Sequence, residues 1–122
     1  MSWIRAIALT VPLVATACAS DVTRAQAHHL VLHGARLLDV RSPAEFAERH
    51  PAQAINIPIE DLKKRTAELG ARNQPIVVYC HTGVRSGLAV QLLRKAGFTA
   101  VYNLGTIGRW FLEASDPPAA IY

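Results

Sequence analysis

Cysteine, aromatic residues and concentrated charge are all scarce in this chain. Only Cys18 and Cys80 are cysteines among its 122 residues, and 7% of the residues are aromatic. The formal net charge is +4, and apart from Lys63-Lys64-Arg65 and Arg94-Lys95 the basic residues are scattered. Scattered charge without interleaved aromatic side chains is typical of solvated helix faces. The composition therefore argues against a nucleic-acid partner.

Internal repeats, linkers and low-complexity stretches are also lacking. With 122 residues, 51% of them hydrophobic, the chain is long enough for one domain with an ordinary core. Only the first 19 residues differ in character from the rest. We therefore expect a single domain that follows a distinct N-terminal segment.

Residues 1–19 predict a secretory signal peptide. Arg5 provides a short positive start, residues 6–19 carry no charge, and small residues accumulate before Ser20. The apolar stretch is short for a transmembrane helix. Cleavage is expected near residue 17 or 19, because a cut after Ala27 would split the first predicted helix. The mature protein is accordingly expected to be periplasmic or secreted, as part of a bacterial cell envelope.

Cys18 leaves a second interpretation of this segment open. Ala15-Thr16-Ala17-Cys18 resembles a lipobox, although a larger aliphatic residue usually stands where Ala15 does. Lipidation of Cys18 would anchor the protein to a membrane, and we expect membrane association only in that case. If cleavage follows Ala19 instead, Cys80 is the only remaining cysteine. It would then have no intramolecular disulfide and no resolving partner, which argues against a dithiol redox role.

Helical and extended patterns alternate along the rest of the chain. Strands are predicted at 37–40, 54–57, 76–79 and 100–103, and helices at 23–33, 42–50, 60–69, 85–96 and 107–114. The apolar run 76–79 is typical of a buried parallel strand. Spacing on the fourth helix predicts an inward face made of Leu88, Leu92, Leu93 and Ala96. Together these patterns predict an α/β fold with a central, mainly parallel sheet and helices on both faces.

The most informative stretch runs from Cys80 to Ser86, between the buried strand and the fourth helix. A helix start offers free backbone N–H groups and a positive dipole, which bind anions and stabilise a thiolate. Gly83 allows successive N–H groups to turn inward. Arg85 adds a planar fork suited to an oxyanion. This pattern predicts a nucleophilic cysteine that acts on anionic substrates.

The same loop resembles the active-site loop of the rhodanese-like sulfurtransferases, in which a cysteine opens a six-residue loop that ends in arginine. Residues 37–46, 54–58 and 96–110 resemble three further segments of that family, in order and at plausible spacing. The resemblance implies a rhodanese-like domain at 21–115 and a C-terminal tail at 116–122. Gln53 and Thr106 depart from the pattern, since the family usually has glycine at these two places.

The resemblance also implies a mechanism. Cys80 would take the outer sulfur of thiosulfate as a persulfide and pass it to a thiol or cyanide acceptor. The protein would act as a monomer and need no metal or organic cofactor. The substrate-binding residues would be His81, Thr82, Gly83, Val84, Arg85 and Ser86. Asp39 and Arg41 match the family's Asp-x-Arg. They are expected to support the pocket through a hydrogen bond or charge pair.

Two other functions remain open from the sequence. Cysteine-dependent phosphatases and arsenate reductases related to this fold are one alternative. They place five residues between cysteine and arginine, whereas four separate Cys80 from Arg85, a tighter loop that suits a sulfur atom better than a phosphoryl group. The other alternative is a non-enzymatic binding or sulfur-carrier module of the cell envelope.

Several individual side chains also allow two interpretations. His28, His29 and His33 suggest a metal, but without a carboxylate or cysteine close in sequence we expect a solvated helix face. Glu45 is either a partner of Arg41 or a helix-capping residue. Ser86 is expected to bond the loop or cap the helix.

Overall fold

The structure is a computed structural model and describes residues 21–111. The predicted signal peptide with Cys18, the C-terminal tail and the end of the last predicted helix lie outside this range. Between residues 21 and 111, no helix is both long enough and apolar enough to cross a membrane.

A four-stranded sheet forms the centre of the domain. Its strands are β1 (Arg36–Asp39), β2 (Ala54–Asn56), β3 (Ile76–Cys80) and β4 (Val101–Thr106), in the order β2-β1-β3-β4. Every pairing is parallel. All five residues of β3 are buried, as expected of a strand with neighbours on both sides and cover on both faces. The predicted parallel sheet is confirmed.

Helices cover both faces of this sheet, which is the predicted arrangement. The α-helices are α1 (Arg24–Leu32), α2 (Pro43–Glu48), α3 (Ile59–Leu62) and α4 (Val84–Lys95), and 3-10 turns lie at Thr66–Leu69 and Ile107–Arg109. One face packs against α1 and the second 3-10 turn, around Leu37, Val77 and Leu104. The other face packs against α3, α4 and the first 3-10 turn, around Leu38 and Val78.

Local sequence explains where the first two helices begin. Thr23 caps α1, and the Gln26 side chain returns a bond to the Thr23 backbone. Ser42 and Glu45 form the same capping box on α2, with Pro43 at the first helical position. Each box satisfies backbone N–H groups that a helix start otherwise leaves open. The predicted starts of both helices are therefore confirmed.

The single helix predicted over 60–69 is wrong. The chain forms the one-turn helix α3, breaks at Arg65 (φ −116°, ψ 16°) and resumes as a 3-10 turn that Gly70 closes. No side chain caps either piece. A one-turn helix without a side-chain cap has little local stabilisation. The buried residues Leu62 and Leu69 hold the two pieces against the core instead.

The inward face predicted for α4 is also partly wrong. Leu88 is 50% exposed, while the buried residues of the helix are Ser86, Ala89, Val90 and Leu93. A hydrophobic pattern gives most weight to large apolar side chains, whereas the buried surface of α4 includes the small residues Ser86 and Ala89. Leu92 and Ala96 are partly buried against the core, as predicted.

This correction can be tested with two matched substitutions. Leu93→Ala should lower the free energy of unfolding by about 2–5 kcal/mol, because it leaves a cavity at a fully buried site. Leu88→Ala removes the same atoms from a half-exposed site on the same helix and should cost well under half as much. Urea unfolding of both variants measures the difference. Equal losses of unfolding free energy in the two variants would show that Leu88 belongs to the buried face of α4 after all.

Candidate active site

Cys80 is the last residue of β3, at the carboxyl edge of the sheet. Alternation along the strand places its side chain with Ile76 and Val78, on the face that α4 covers. The residue is fully buried, and its Sγ accepts a hydrogen bond of 2.9 Å from the Gly83 N–H. The Cys80 sulfur therefore lies at the end of its strand with a backbone donor from the loop directed at it.

Gly83 shapes the loop that follows. Its φ is 95°, in the left-handed region that residues with a Cβ rarely adopt, and it occupies the N-cap position of α4. This conformation turns the Gly83 N–H back toward Cys80. His81, Thr82 and Val84 are exposed on the outside of the loop. Of the N–H groups predicted to turn inward, the one on Gly83 bonds the sulfur among the described residues.

Ser86 bonds the loop from beneath, as predicted, and does not cap the helix. It is fully buried, and its Oγ lies 3.6 Å from the Cys80 Sγ, within reach of a thiol hydrogen. The Ser86 hydroxyl in turn lies 3.0 Å from the Gly83 carbonyl oxygen and 3.3 Å from that of Gly105. A hydroxyl donates only one hydrogen, so it bonds one of these carbonyls at a time.

Gly105 brings β4 close to the loop. The pairing of β3 with β4 shifts by one residue here, and Gly105 has a φ of 86°. A Cβ on Gly83 would lie 3.9 Å from the Gly105 Cα. The strand continues to Thr106, so β4 is longer than predicted, and only the turn Ile107–Arg109 follows within the described residues where a helix was expected.

The two departures from the family pattern do not strain the backbone. Thr106 is extended, with a φ of −107°. Gln53 lies in the turn before β2, and every described residue with a positive φ is a glycine. Neither position therefore requires glycine in this chain.

Arg85 forms a two-pronged ion pair with Glu45. Its Nη1 and Nη2 donate to the two carboxylate oxygens at 2.7 and 3.0 Å. The expected pairing of Glu45 with Arg41 is therefore wrong, because Arg41 is held by Asp39. The alternative capping role of Glu45 is confirmed, since it also bonds Ser42.

This pair shifts the pKa of both partners. The hydrogen bonds from Arg85, together with those of Ser42, lower the pKa of Glu45 from 4.5 to about 2. The same contact raises the pKa of Arg85. The guanidinium fork predicted to receive an oxyanion thus lies on a carboxylate, and Arg85 remains charged beside the loop.

Asp39 and Arg41 form a second, more deeply buried pair. Asp39 is fully buried and accepts 2.7 Å from Arg41 Nη2, 2.8 Å from the Arg41 N–H and 2.6 Å from the Tyr79 hydroxyl. Tyr79 belongs to the core on the opposite face of the sheet from Cys80. Asp39 and Arg41 do form the expected charge pair, but the carboxylate lies on the opposite side of the sheet from the sulfur, so their supporting role at the pocket stays a prediction.

Sequence analysis missed three residues of this network. Burial, followed by the hydrogen bond to Asp39, raises the pKa of Tyr79 far above its ordinary value, so its hydroxyl stays a donor. Arg41 Nη2 donates to the Arg49 carbonyl at 2.6 Å, and Asn56 donates to the carbonyls of both Asp39 and Arg41. Of these three residues, only Tyr79 had a signal in the sequence, because a polar hydroxyl within an apolar strand requires a buried hydrogen-bond partner.

The histidines of α1 make structural contacts. The His28 ring stacks on Trp110 at 3.8 Å, and its Nε2 lies 2.9 Å from the Trp110 carbonyl oxygen. His33 Nδ1 bonds the His29 carbonyl oxygen at 2.8 Å. Among residues 21–111, no three histidine, cysteine or carboxylate side chains lie close enough together to hold a metal ion.

Comparison with known proteins agrees with this geometry. A family model described as "Rhodanese-like domain" matches residues 19–110. The chain belongs to the rhodanese-like family. It is 47% identical over 77 residues to the Bacillus subtilis protein YqhL, and 39% identical over 69 residues to the Escherichia coli thiosulfate sulfurtransferase PspE.

These matches cover 62% and 56% of this chain, and 60% and 66% of the two relatives. The chain thus spans less than two thirds of the length of either one. Among solved structures, the human single-domain sulfurtransferase TSTD1 superposes with a TM-score of 0.65 at 30% identity. That match covers 80% of this chain and 99% of the human chain. The predicted family and fold are confirmed.

Replacing Glu45 tests the ion pair through its pH dependence. Glu45→Gln should lower the free energy of unfolding at pH 7 by about 1 kcal/mol. Because the folded-state pKa of Glu45 is about 2 and its ordinary value is 4.5, this contribution is complete above about pH 4.5. It is lost as the pH falls toward 2, and the two proteins should converge. Urea unfolding at pH 7, 4 and 3 measures this.

Glu68→Gln is the matched control, because Glu68 pairs with Arg65 on the exposed surface. It should change the unfolding free energy less than Glu45→Gln at pH 7. A loss for Glu45→Gln that stays constant down to pH 3 would show that packing, and not charge, explains the effect.

Proposed function

We propose that this protein is a thiosulfate-type sulfurtransferase that carries sulfur as a persulfide on Cys80. The observation that supports this most directly is the Cys80 sulfur at the end of β3, with the Gly83 N–H directed at it at 2.9 Å. Membership of the rhodanese-like sulfurtransferase family and likeness to PspE and TSTD1 support the same class. The proposed partners are a small anionic sulfur donor and a thiol or cyanide acceptor, with the protein acting as a monomer.

The proposed reaction has two covalent steps. In the first, the Cys80 thiolate attacks the outer sulfur of thiosulfate. The sulfur–sulfur bond of thiosulfate breaks, and sulfite leaves with the electron pair. In the second, a thiolate or cyanide attacks the outer sulfur of the Cys80 persulfide. The bond to Sγ breaks, the Cys80 thiolate is restored, and the acceptor carries the sulfur away.

The loop supports both steps electrostatically. The Gly83 N–H bonds Sγ, and we propose that it also stabilises the terminal sulfur anion of a persulfide formed there. Arg85 supplies positive charge beside the loop for the incoming dianion. Since Glu45 occupies its fork, we infer that it attracts the sulfonate as a charge and does not grip it with two hydrogen bonds.

Access to the sulfur is part of this proposal. Cys80 is fully buried, whereas His81 and Thr82 on the loop above it are exposed. We infer that these two residues move aside when the donor enters. If the loop closes again between the two steps, the Cys80 persulfide is shielded from solvent until the acceptor arrives.

Cys80→Ser should abolish sulfur transfer from thiosulfate to cyanide, because a hydroxyl cannot form a stable persulfide. Thiocyanate formation measures turnover, and intact mass measures the sulfur added to wild-type protein after thiosulfate alone. Cys18→Ser in the full-length chain is the matched control, since it makes the same atomic change at the other cysteine. It should retain transfer.

Circular dichroism establishes that the Cys80→Ser variant is folded. Transfer retained by that folded variant would contradict the mechanism. Wild-type protein that neither gains sulfur nor turns over would favour the non-enzymatic module, and hydrolysis of a phosphate ester would favour the phosphatase.

We further propose that the protein is exported and that the signal peptide is removed. The uncharged stretch at 6–19 after Arg5 supports this proposal. Intact-mass measurement on protein from a bacterial envelope fraction should give a chain that starts at residue 18 or 20. A mass that begins at an acylated Cys18 would select the lipid-anchored form. A full-length chain in the cytoplasm would contradict both.

A further inference from the structure

A groove leads away from the Cys80 loop along the carboxyl end of β4. One depression, of about 260 Å³, borders Gly83. A second, of about 680 Å³, extends to Arg24. Both are lined by Asp21, Thr106 and Arg109, so they form one continuous surface that starts at the loop and ends at α1. Its size suits a ligand as large as a short peptide.

The backbone places Arg109 in this groove beside the active-site loop. Cys80 pairs with Thr106 across the sheet. A Cβ on Gly105 would lie 3.6 Å from Arg109 Nη1, so the guanidinium packs against the glycine that also faces the loop. The same Nη1 donates to the Leu104 carbonyl at 3.2 Å. The cation is thus held at a defined place next to the site.

Two arginines of the groove have no ion-pair partner within residues 21–111. Neither Arg109 nor Arg24 has a described carboxylate within ion-pair distance, whereas Arg85 is paired with Glu45. Asp21 adds one negative charge at the rim. Among the described residues the groove therefore presents two unpaired cations to one carboxylate, a balance that favours an anionic ligand.

One polar atom at the loop end of the groove also lacks a partner. The side-chain oxygen of Asn103, a residue that lines the smaller depression, is buried and accepts no hydrogen bond from any residue between 21 and 111. Buried acceptors are satisfied in nearly all folded proteins. A ligand with an N–H or O–H group would satisfy this one.

We propose that this groove binds the sulfur acceptor, and that Arg109 selects thiols that carry a carboxylate. The inference rests on the proposed sulfurtransferase function and adds the chemical class of the acceptor. The acceptor thiolate attacks the outer sulfur of the Cys80 persulfide, the bond to Sγ breaks, and the electron pair returns to Sγ. Meanwhile the carboxylate lies on Arg109, further along the groove. Arg109 is a specificity-determining residue and takes no part in bond changes.

The test uses two small thiols that differ chiefly in charge, 3-mercaptopropionate and 2-mercaptoethanol. Full-length protein is loaded with sulfur from thiosulfate, and the second-order rate of sulfur removal is measured for each thiol by intact mass. The ratio of the carboxylate rate to the neutral rate should fall about three- to tenfold in Arg109→Gln, as expected for a partly exposed ion pair. Using the ratio removes effects of the variant on the loop itself.

Arg36→Gln is the matched control. Arg36 is exposed at the first residue of β1, at the opposite end of the sheet, and loses the same charge. Its ratio should match that of wild type. An unchanged ratio in Arg109→Gln would overturn the inference, because Arg109 would then have no effect on the preference. An equal fall in both variants would also overturn it, because net charge alone would then explain the preference.

A second measurement separates the groove from the proposed function. Unmodified Cys80 thiolate attacks a disulfide, forming a mixed disulfide and releasing one thiolate. The rate of this reaction is measured with 3,3′-dithiodipropionate, which carries carboxylates, and with the neutral bis(2-hydroxyethyl) disulfide. The ratio of the two rates again reports the preference for a carboxylate, without any sulfur transfer. A fall in this ratio in Arg109→Gln, in a protein that gains no sulfur from thiosulfate, would support the groove and refute the sulfurtransferase. An unaltered disulfide ratio would overturn the groove.

Discussion

The Asp39 carboxylate lies wholly inside the protein, at the carboxyl end of β1, where an unpaired charge would be strongly destabilising. It is balanced by the Arg41 guanidinium, the Arg41 N–H and the Tyr79 hydroxyl. Tyr79 lies directly opposite Asp39 on β3. This one buried group therefore joins the two central strands at the edge of the sheet that also holds Cys80, and fixes the direction of the chain that leaves β1.

The segment that follows β1 carries α2. Through α2, the hydrogen bonds of Asp39 with Arg41 and Tyr79 position the Cys80 loop indirectly. Arg41 bonds the carbonyl of Arg49 at the far end of α2, so both ends of that segment are fastened. Glu45 on the same helix then holds Arg85. A disturbance at Asp39 would be felt at the loop through this series of contacts, although the carboxylate and the sulfur lie on opposite faces of the sheet.

The parts of the molecule that local rules govern could be predicted from sequence. The apolar run of β3, the capping boxes at Thr23 and Ser42, and the loop from Cys80 to Arg85 each depend on neighbours in sequence. Pairings between distant segments could not be predicted in this way. Glu45 and Arg85 are 40 positions apart, and the only arginine that the sequence suggested as a partner for Glu45 was the nearby Arg41.

Packing that depends on small residues was equally hard to predict. The surface of α4 nearest the sheet uses Ser86 and Ala89, which carry little weight in a hydrophobic pattern, so Leu88 was assigned to the wrong side. The approach of Gly105 to Gly83 likewise depends on a register shift in β4 that no periodicity reveals. Family resemblance pointed to Cys80 as the nucleophile to be tested, but the groove beyond its loop became visible only in three dimensions.

The two outer strands of the sheet have a consequence for how the protein behaves in a concentrated solution. An open strand edge is a template for adding a strand from another molecule, and thus a route to aggregation. Here β2 is only three residues long, and the outer side of β4 is partly occupied by the Asp21–Asn103 bridge and the Val22 N–H bond to the Asn103 carbonyl. The residues just before α1 thus cover part of the outer edge of β4. This leaves little free backbone with which a second copy could pair to extend the sheet.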